Sequence, residues 1–185
     1  AATEIPPPQD PRLRAIVVGY GPTGQTVARL LRENDIEPII IELNLDTVRR
    51  LRVDGFTTVY GDATKRETLK GAGIESAGSL VLSSAALQNG EELIRLSREL
   101  NPRMRILARS TYLREIVKLR AAGADSVFSG EGEVAIAFTE TILRRVGATP
   151  EQIERERARV HRELVGDPEF LDPLAEEQLI SAHRD

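Results

Sequence analysis

Residues 15–24 of the chain read Ala15-Ile16-Val17-Val18-Gly19-Tyr20-Gly21-Pro22-Thr23-Gly24, and this stretch decides the fold. Its four apolar residues predict a short buried strand, and its three glycines, at the spacing G-x-G-x-x-G, predict a tight turn. Val27, Leu30 and Leu31 follow at helical spacing, so a helix is predicted to begin directly after the turn. A strand, a glycine turn and a helix in this order are the setting that a dinucleotide-binding fingerprint requires.

Each glycine of this turn has a separate physical role in binding a phosphate group. Gly19 allows the tight turn out of the strand, Gly21 leaves room for a phosphate beside the backbone, and Gly24 lets the helix pack on the strand. Pro22 suits the first turn of a helix, where its missing N–H group is not needed. The first N–H groups of that helix have no partner within the helix, so they are predicted to face an anion.

An acidic residue follows the second predicted strand, where a ribose-binding carboxylate is expected. Residues 39–41 form this strand, and Glu42 lies 18 positions beyond Gly24, against a usual separation of about 20. A carboxylate here accepts hydrogen bonds from ribose hydroxyls and repels a 2′-phosphate, which favours NAD(H), AMP, ADP or ATP over NADP. The alternative is that Glu42 is a solvated strand end and that the glycines only form turns.

Composition excludes several classes of protein. The chain of 185 residues is long enough for one domain with an appendage, and its net charge of −4 with 4% aromatic residues argues against a nucleic-acid surface. It contains no cysteine, which excludes disulfides, thiolate metal sites and a cysteine nucleophile. No stretch approaches the roughly 20 apolar residues of a membrane-spanning helix. Because the first residue is Ala1, we expect a processed or excised piece of a longer protein.

Strands and helices alternate along the chain, which predicts an α/β fold with a Rossmann-like, doubly wound parallel sheet of about six strands. The predicted strands lie at residues 15–18, 39–41, 56–60, 79–82, 105–108 and 125–128. In the second helix, Val48, Leu51 and Val53 are predicted to face the core. Two later helices are predicted at residues 113–122 and 131–146.

The chain is predicted to comprise three segments. Residues 1–12 carry four prolines among polar residues and are expected to form an extended linker. Residues 13–147 hold the alternating pattern and are expected to form the Rossmann-like nucleotide-binding domain. Residues 148–185 are dense in charge at 151–164, so a charged helical tail with a loosely held end is expected there.

Polar residues follow several predicted strands at the point where each strand ends. In an open parallel sheet the ligand sits outside the carboxyl ends of the strands, so these residues are expected to meet at one cleft. Asp62 is predicted to accept a hydrogen bond from the exocyclic amine of adenine, the alternative being the N-cap of a helix. Ser83 and Ser84 are predicted to donate to a phosphate or a second ribose. Arg109 is a charged fork suited to phosphate or carboxylate, the alternative being an ion pair with Glu131.

The groups that an oxidoreductase needs for proton transfer are missing from the sequence. None of Tyr20, Tyr60 and Tyr112 has a lysine four residues on, so the tyrosine–lysine pair of short-chain dehydrogenases is absent. The two histidines, His161 and His183, lie in the charged tail, where solvated side chains are expected. A nucleotide site without catalytic groups indicates sensing, in which the nucleotide stabilises one conformational state over another. We therefore predict that the chain is not an enzyme.

Four motifs stand at or near the predicted strand ends. They are Gly19-Tyr20-Gly21-Pro22-Thr23-Gly24, Ile41-Glu42, Tyr60-Gly61-Asp62-Ala63-Thr64 and Ile106-Leu107-Ala108-Arg109. Together they resemble the RCK family of regulators of potassium conductance, also called KTN or TrkA-N. The resemblance covers about residues 13–147, and the spacing is most similar to the cytosolic domain of Kef-type potassium:proton antiporters. The motif after the third strand is more specific than the glycine turn.

The resemblance implies a domain that binds NAD(H), AMP, ADP or ATP in this cleft and gates a membrane pore. It assigns phosphate to Gly21, Thr23 and Gly24, and adenine to Asp62 and Ala63. The predicted nucleotide-binding residues are Gly19, Tyr20, Gly21, Pro22, Thr23, Gly24, Glu42, Asp62, Ala63, Thr64, Ser83 and Arg109. No metal site is predicted.

Members of this family pair through their final helix, which implies a homodimer formed by the helix at 131–146. The apolar residues of this helix cover more than one face: Val134, Ile136, Ala137, Phe138, Ile142, Leu143 and Val146. A helix that is apolar around much of its circumference must be buried on several sides. The alternative is a helix packed only on its own sheet.

We therefore predict a regulatory domain that gates a potassium or cation:proton antiporter at the cytoplasmic face of the membrane. The transporter unit is expected on the same or a separate chain. The 38 residues after Gly147 are too few for the second lobe of channel-type relatives, which favours the antiporter type. The alternatives are a soluble RCK subunit of a separately encoded potassium transporter and a fragment of an NAD-dependent oxidoreductase.

Overall fold

A computed structural model describes residues 5–84 and 89–165 of the chain. Within these residues the strands are β1 (Arg14–Val18), β2 (Glu37–Glu42), β3 (Thr57–Tyr60), β4 (Ser79–Leu82), β5 (Arg105–Ser110) and β6 (Ser126–Ser129). They form one sheet in the order β3-β2-β1-β4-β5-β6. The pairs along the sheet from β3 to β5 are all parallel.

The helices that connect and flank these strands alternate with them along the chain. They are α1 (Pro22–Glu33), α2 (Leu45–Val53), α3 (Arg66–Gly71), α4 (Gly90–Leu100), α5 (Ile116–Ala121), α6 (Gly130–Arg145) and α7 (Pro150–Val165). Short 3₁₀ turns lie at Pro11–Leu13, Ile74–Ser76 and Leu113–Glu115. None of these helices combines the length and the apolar character needed to cross a membrane.

The strand order reverses beside β1, because the chain builds β2 and β3 on one side of it and then β4 and β5 on the other. This confirms the predicted Rossmann-like α/β fold with a parallel sheet of six strands. The register places Val18 of β1 opposite Ile41 of β2 and Leu82 of β4. The residues that follow these three strands therefore meet at one edge of the sheet.

The core of the sheet is aliphatic and fully enclosed. Val17 of β1 and Ile40 of β2 pack with Ala28 of α1 and Leu51 of α2, and none of the four is more than 1% exposed. Burying one such larger aliphatic side chain stabilises the fold by about 1.5–3 kcal/mol. All five residues of β1 are buried, as expected for a central parallel strand covered on both faces.

Two apolar residues that the helical pattern includes lie outside the core. Val53 was predicted to face the core with Leu51 but is 87% exposed. Two residues correspond to a rotation of about 200° around a helix, so Val53 points away from the face that Leu51 buries. Leu30 is 46% exposed because it follows the buried Ala28 by two residues and so points about 200° away from it around α1.

The helix predicted at residues 113–122 is present in the structure and begins with a 3₁₀ turn. A 3₁₀ turn precedes α5, and the carboxylate of Glu115 at the end of that turn accepts hydrogen bonds from the N–H groups of Thr111 and Tyr112, at 3.1 and 3.2 Å. This side chain closes the turn on the backbone that precedes it. The carboxylate of Glu115 thus satisfies N–H groups at the start of this helix, whose first turn is 3₁₀ and which continues as an α-helix from Ile116.

The described residues fall into two compact units. The first comprises residues up to 110 together with 117–127, and the second comprises 111–116 together with 128–165. Of the predicted segments, residues 1–4 of the linker and 166–185 of the tail, which include His183, lie outside the described residues. The predicted segment boundary at residue 147 stays a prediction.

Within the second unit, α6 exposes a row of apolar side chains. Val134, Phe138, Ile142 and Val146 follow one another at intervals of four residues and are between 53% and 73% exposed. α7 packs against α6, and its charges pair along its own length, for example Arg159 with Glu156 at 2.8 Å. The row is therefore the main apolar surface of α6 that its own unit leaves uncovered.

Candidate functional site

A cleft of about 380 Å³ opens in the first unit at the carboxyl ends of the central strands. It stands where the strand order reverses, which is the place where open α/β sheets bind their ligands. Its lining residues are Val18, Gly19, Tyr20, Gly21, Pro22, Thr23, Ile41, Glu42, Leu43, Gly61, Asp62, Ala63, Ser83, Ser84 and Arg109. All the predicted site residues except Gly24 and Thr64 are among them.

The glycine turn leaves β1 in a conformation that favours glycine. Gly19 has a φ of +88°, and its N–H donates to the carbonyl oxygen of Ile41 on β2 at 2.9 Å. On the other side Ser83, which is buried directly after β4, has its hydroxyl 2.9 Å from the carbonyl oxygen of Val18 and 3.0 Å from that of Gly19. Both neighbouring strands therefore hold the turn in place.

Gly24 lies beneath the turn and not in the wall of the cleft. A Cβ at this position would stand 2.8 Å from the Ser83 hydroxyl and closer still to the carbonyl oxygen of Gly19. Because real Cβ atoms do not approach other atoms so closely, α1 can pack here only with a glycine. This close packing agrees with the role predicted for Gly24 in seating the helix on the strand.

The amino end of α1 presents open backbone to the cleft. Gly21 is the N-cap, and Pro22 occupies the first helical position, where the missing N–H leaves no donor to satisfy. Among the described residues, no atom lies within 4 Å of where a Cβ on Gly21 would stand. The next N–H groups, of Thr23 and Gly24, have no partner within the helix, and the helix dipole adds positive potential. An arrangement of this kind is suited to an anion.

Glu42 enters the cleft in a fixed orientation. One carboxylate oxygen accepts hydrogen bonds from the N–H groups of Leu43 and Asn44, at 2.7 and 2.9 Å. The other accepts from the N–H of Tyr20, at 3.0 Å, and so joins the acid to the glycine turn. This second oxygen keeps a lone pair free to accept from a ligand hydroxyl.

Asp62 forms a local turn after β3. One carboxylate oxygen accepts hydrogen bonds from the N–H of Thr64 at 2.9 Å and from its hydroxyl at 2.8 Å. The bond from the backbone N–H, followed by the bond from the hydroxyl, holds the pKa of Asp62 below its usual value. The N-cap of α3 is Lys65, so Asp62 does not cap that helix directly. The turn uses one oxygen of Asp62 and leaves the second for a ligand.

Arg109 brings a positive charge to the side of the cleft where α1 begins. Its guanidinium is 3.3 Å from the Thr23 hydroxyl and 3.5 Å from the carbonyl oxygen of Ser83. In the part of the chain that the structure describes, no carboxylate forms an ion pair with it. Glu131, its predicted alternative partner, accepts a hydrogen bond from the N–H of Leu113 at 2.9 Å.

The sequence pattern missed one exposed wall of the cleft. Leu43 lines it and is 62% exposed, and the signal was an apolar residue directly after the predicted ribose-binding acid. Thr64 supports Asp62 and does not line the cleft itself. Over residues 5–84 and 89–165 there is no group of three or more histidine or acidic side chains that could hold a metal ion.

Comparison with known proteins identifies the family. The sequence matches the family model of the TrkA-N domain over residues 15–130. It is similar to the solved TrkA-N domain of the inner membrane protein ybaL from Escherichia coli, with 32% identity and a TM-score of 0.68. The alignment covers 70% of this chain and 96% of that one.

Two further solved structures share the fold at 24% identity. The C-terminal domain of Kef from Shewanella denitrificans, solved in an AMP-bound form, has a TM-score of 0.63, with 82% of this chain and 97% of that one covered. The GsuK channel bound to NAD has a TM-score of 0.61, and the aligned 72% of this chain spans about a quarter of the GsuK chain, 24%. Since the family model matches more than half of the chain, the protein belongs to the TrkA-N, or RCK, domain family.

Proposed function

We propose that this protein is a regulatory domain that binds an adenine nucleotide without a 2′-phosphate and thereby gates a potassium or cation:proton antiporter. The observation that carries the proposal is one cleft in which the glycine turn, Glu42, Asp62 and Arg109 come together. The link to potassium transport is supported by membership of the TrkA-N family, whose relatives here include a potassium-transport protein and a channel.

The charges divide the cleft into two ends with different chemistry. Glu42 and Asp62 make one end acidic, which suits the hydroxyls of ribose and the exocyclic amine of adenine. Arg109 and the amino end of α1 make the other end positive, which suits phosphate. A 2′-phosphate would add negative charge beside Glu42, so NADP and NADPH are expected to bind weakly.

The contacts within the fold indicate which groups are available to a ligand. The N–H groups of Thr23 and Gly24 would bind phosphate, and Ala63 would contact adenine together with Asp62. The hydroxyl of Ser83 already faces two backbone carbonyl oxygens, so we assign it the role of positioning the turn. Tyr20 would act through its backbone, since its N–H holds Glu42 and its ring packs edge-on against Phe56, 5.9 Å between centroids.

The relatives support an adenine nucleotide and leave its identity to experiment. The Kef domain is described in an AMP-bound form, and GsuK is described with NAD and with ADP. These ligands share adenosine and phosphate and lack a 2′-phosphate on the adenosine ribose. That shared part is what the two ends of the cleft are proposed to recognise.

The cleft is proposed to sense a nucleotide without transforming it. Among the described residues, those that line the cleft include no histidine, lysine or cysteine. These are frequent acid–base and nucleophilic groups of enzymes, and a carbonyl reductase needs a proton donor beside the nicotinamide. We therefore propose that binding energy shifts a conformational equilibrium in place of lowering a reaction barrier.

We further propose a homodimer that pairs through α6, with a transporter unit on the same or a separate chain as the membrane partner. The apolar row of Val134, Phe138, Ile142 and Val146 forms a ridge of the kind that packs against another helix. A symmetric pair brings this row against its own copy. Light scattering at tens of micromolar should give the mass of a dimer, and Phe138→Glu should give a folded monomer. A monomeric unchanged chain would contradict the dimer.

Calorimetric titration tests the nucleotide site. We expect AMP, ADP, ATP or NAD(H) to bind and NADPH to bind at least tenfold more weakly than NADH. Glu42→Gln should lower the affinity about tenfold, because a hydrogen bond to a charged acceptor contributes about 1.5–3 kcal/mol. The Glu42→Gln substitution should also reduce the difference in affinity between NADH and NADPH, since the charge that repels the 2′-phosphate has been removed.

The matched control for this titration is Glu33→Gln, which removes an exposed carboxylate that pairs with Arg29 on α1. It should bind like the unchanged chain. Absence of binding by all the nucleotides would refute the proposed site. Steady consumption of NADH with a carbonyl compound would instead identify an oxidoreductase fragment.

A further inference from the structure

The amino end of β1 carries a buried cation that the nucleotide cleft does not use. Arg14 is the first residue of β1, and its side chain is only 5% exposed. Its Nε and Nη2 atoms donate to one carboxylate oxygen of Glu37 on β2, at 2.9 and 2.6 Å. Its Nη1 atom donates to the carbonyl oxygen of Pro6, at 2.6 Å. One guanidinium therefore joins the sheet to the segment that precedes it.

The same segment contacts the sheet at a second point. Asp10 caps the 3₁₀ turn at Pro11–Leu13, and its side chain accepts a hydrogen bond from the N–H of Arg12 at 2.9 Å. The backbone of this turn lies directly on Gly78, the residue before β4. A Cβ on Gly78 would stand 2.9 Å from the Cα of Arg12 and closer still to the carbonyl oxygen of Pro11.

We propose that residues 5–13 form a strap docked on the amino edge of the sheet, and that Arg14 is the clasp that closes it. A guanidinium can satisfy acceptors on two segments at once because its donors have a fixed planar geometry. Release of the strap would remove the carbonyl oxygen of Pro6 from the buried guanidinium of Arg14. Because leaving a buried charge without an acceptor costs free energy, Arg14 favours the docked strap over a free one. The composition of residues 1–12, which predicts a linker, does not reveal this docking.

The consequence for regulation rests on the proposed function. A transporter unit joined ahead of the strap would be attached to the sheet at the amino end of β1. The five residues of β1 are all buried and lead directly into the turn at Gly19. A pull on the docked strap would therefore reach the nucleotide turn through a packed strand, whereas a free linker, or a strap released from Arg14, would absorb it.

The absence of cysteine in the chain makes a single-label experiment possible. Gln9→Cys, at an exposed position of the strap, accepts a fluorescent label, and its anisotropy decay is measured without nucleotide. We expect a slowly rotating label that follows the whole domain. Arg14→Met should lower the residual anisotropy at least twofold. Arg14→Lys should also lower it, because the single ammonium group of lysine lacks the planar set of donors with which the guanidinium bonds two segments.

Arg12→Met is the matched control, because the Arg12 side chain is 88% exposed and pairs only with Asp10 among its described contacts. It should leave the label restricted. Gly78→Ala displaces the strap from its other contact, so it should release the label even if Arg14→Met fails to fold. A mobile label in the unchanged chain, or a restricted label in folded Arg14→Met and Gly78→Ala, would overturn the proposal. The label is read without ligand, so this result is independent of the nucleotide titration.

Discussion

The two ends of β1 differ in whether the nearby hydrogen-bond donors have partners within the chain. At its carboxyl end the strand runs into the glycine turn, where the first N–H groups of α1 face an open cleft. At its amino end the strand begins with Arg14, whose guanidinium is buried and bonded to Glu37 and to the carbonyl oxygen of Pro6. Only four residues, 15–18, separate Arg14, whose donors are satisfied within the chain, from the glycine turn that leads to the open donors of α1.

This difference shows how to separate a binding edge from a structural edge of the same sheet. Folded proteins satisfy nearly all buried polar groups, so an edge whose donors all have partners contributes stability and has little left for a ligand. An edge that keeps backbone donors open, beside glycines that admit a close approach, is arranged for a partner from outside. The three glycines Gly24, Gly21 and Gly78 allow this distinction to be tested.

The largest effect is expected from Gly24→Ala at the carboxyl end. The new Cβ would collide with the carbonyl oxygen of Gly19 and the hydroxyl of Ser83, which are themselves held by hydrogen bonds. Overpacking of this kind costs about 1–3 kcal/mol, and we expect the upper part of that range. Thermal unfolding followed by circular dichroism should show a fall of about 5–10 °C in the melting temperature.

Gly21→Ala is the control for this change, because a Cβ there meets no described atom within 4 Å and the backbone φ of −71° suits alanine. The free energy of unfolding should change by less than about 0.5 kcal/mol. Nucleotide affinity should nevertheless fall at least tenfold, because the methyl group occupies the space proposed for phosphate. Tight nucleotide binding by Gly21→Ala would show that the open backbone is not the phosphate seat.

A smaller effect is expected from Gly78→Ala at the amino end. The Cβ would meet the backbone of the strap, which can move away, so the loss of stability should be about 1 kcal/mol. Nucleotide affinity should stay within about twofold of the unchanged chain, since a released strap exerts no pull on β1 and no described cleft residue contacts the strap. Urea unfolding and calorimetry on the same sample measure both quantities. A large loss of affinity would show that the two ends are less separate than the comparison implies.

The smallest effect concerns the pH dependence of Asp62. Hydrogen bonds from Thr64 lower the pKa of Asp62 in the folded state, so the carboxylate contributes stability at pH values above about 4, the pKa of an unfolded aspartate. That contribution is lost as the pH falls through the lower, folded-state pKa. NMR titration of the Asp62 carboxyl carbon should give a midpoint below that of an ordinary aspartate.

Asp62→Asn keeps an acceptor oxygen for Thr64 and removes the titration, so its stability should depend less steeply on acid pH. Asp46→Asn is the control, because the Asp46 side chain is 88% exposed. A titration midpoint for Asp62 at or above the ordinary value would contradict the turn that the structure shows.

The carboxyl end of the sheet could be predicted because its signals are local. The apolar strand, the glycine spacing and the onset of α1 lie within one short stretch, and Glu42 follows at a separation that the fold itself sets. The paired parallel strands end at the same edge of the sheet. The residues that follow β1, β2 and β4 therefore come together regardless of the sequences that connect these strands. The cleft thus follows from topology together with four short motifs.

The amino end could not be predicted, because its contacts depend on burial that no local pattern encodes. Arg14 at the start of a strand has the pattern of a solvated strand end, and its burial depends on Glu37, 23 positions away, and on a carbonyl in a proline-rich segment. The exposure of Val53 is a different case, because its spacing of two residues from Leu51 already turns it about 200° from the buried face and only its hydropathy suggests burial.

The three N–H groups on Glu42 have a consequence for the entropy of binding. A flexible glutamate loses about 1.5–2 kcal/mol of rotamer freedom when it is held in one orientation. In this protein the rotamer freedom of Glu42 is lost on folding and not on ligand binding, because hydrogen bonds from Tyr20, Leu43 and Asn44 already order the carboxylate. If the proposed function holds, a ribose hydroxyl meets an acceptor that needs no further ordering, and more of the hydrogen-bond energy remains as affinity.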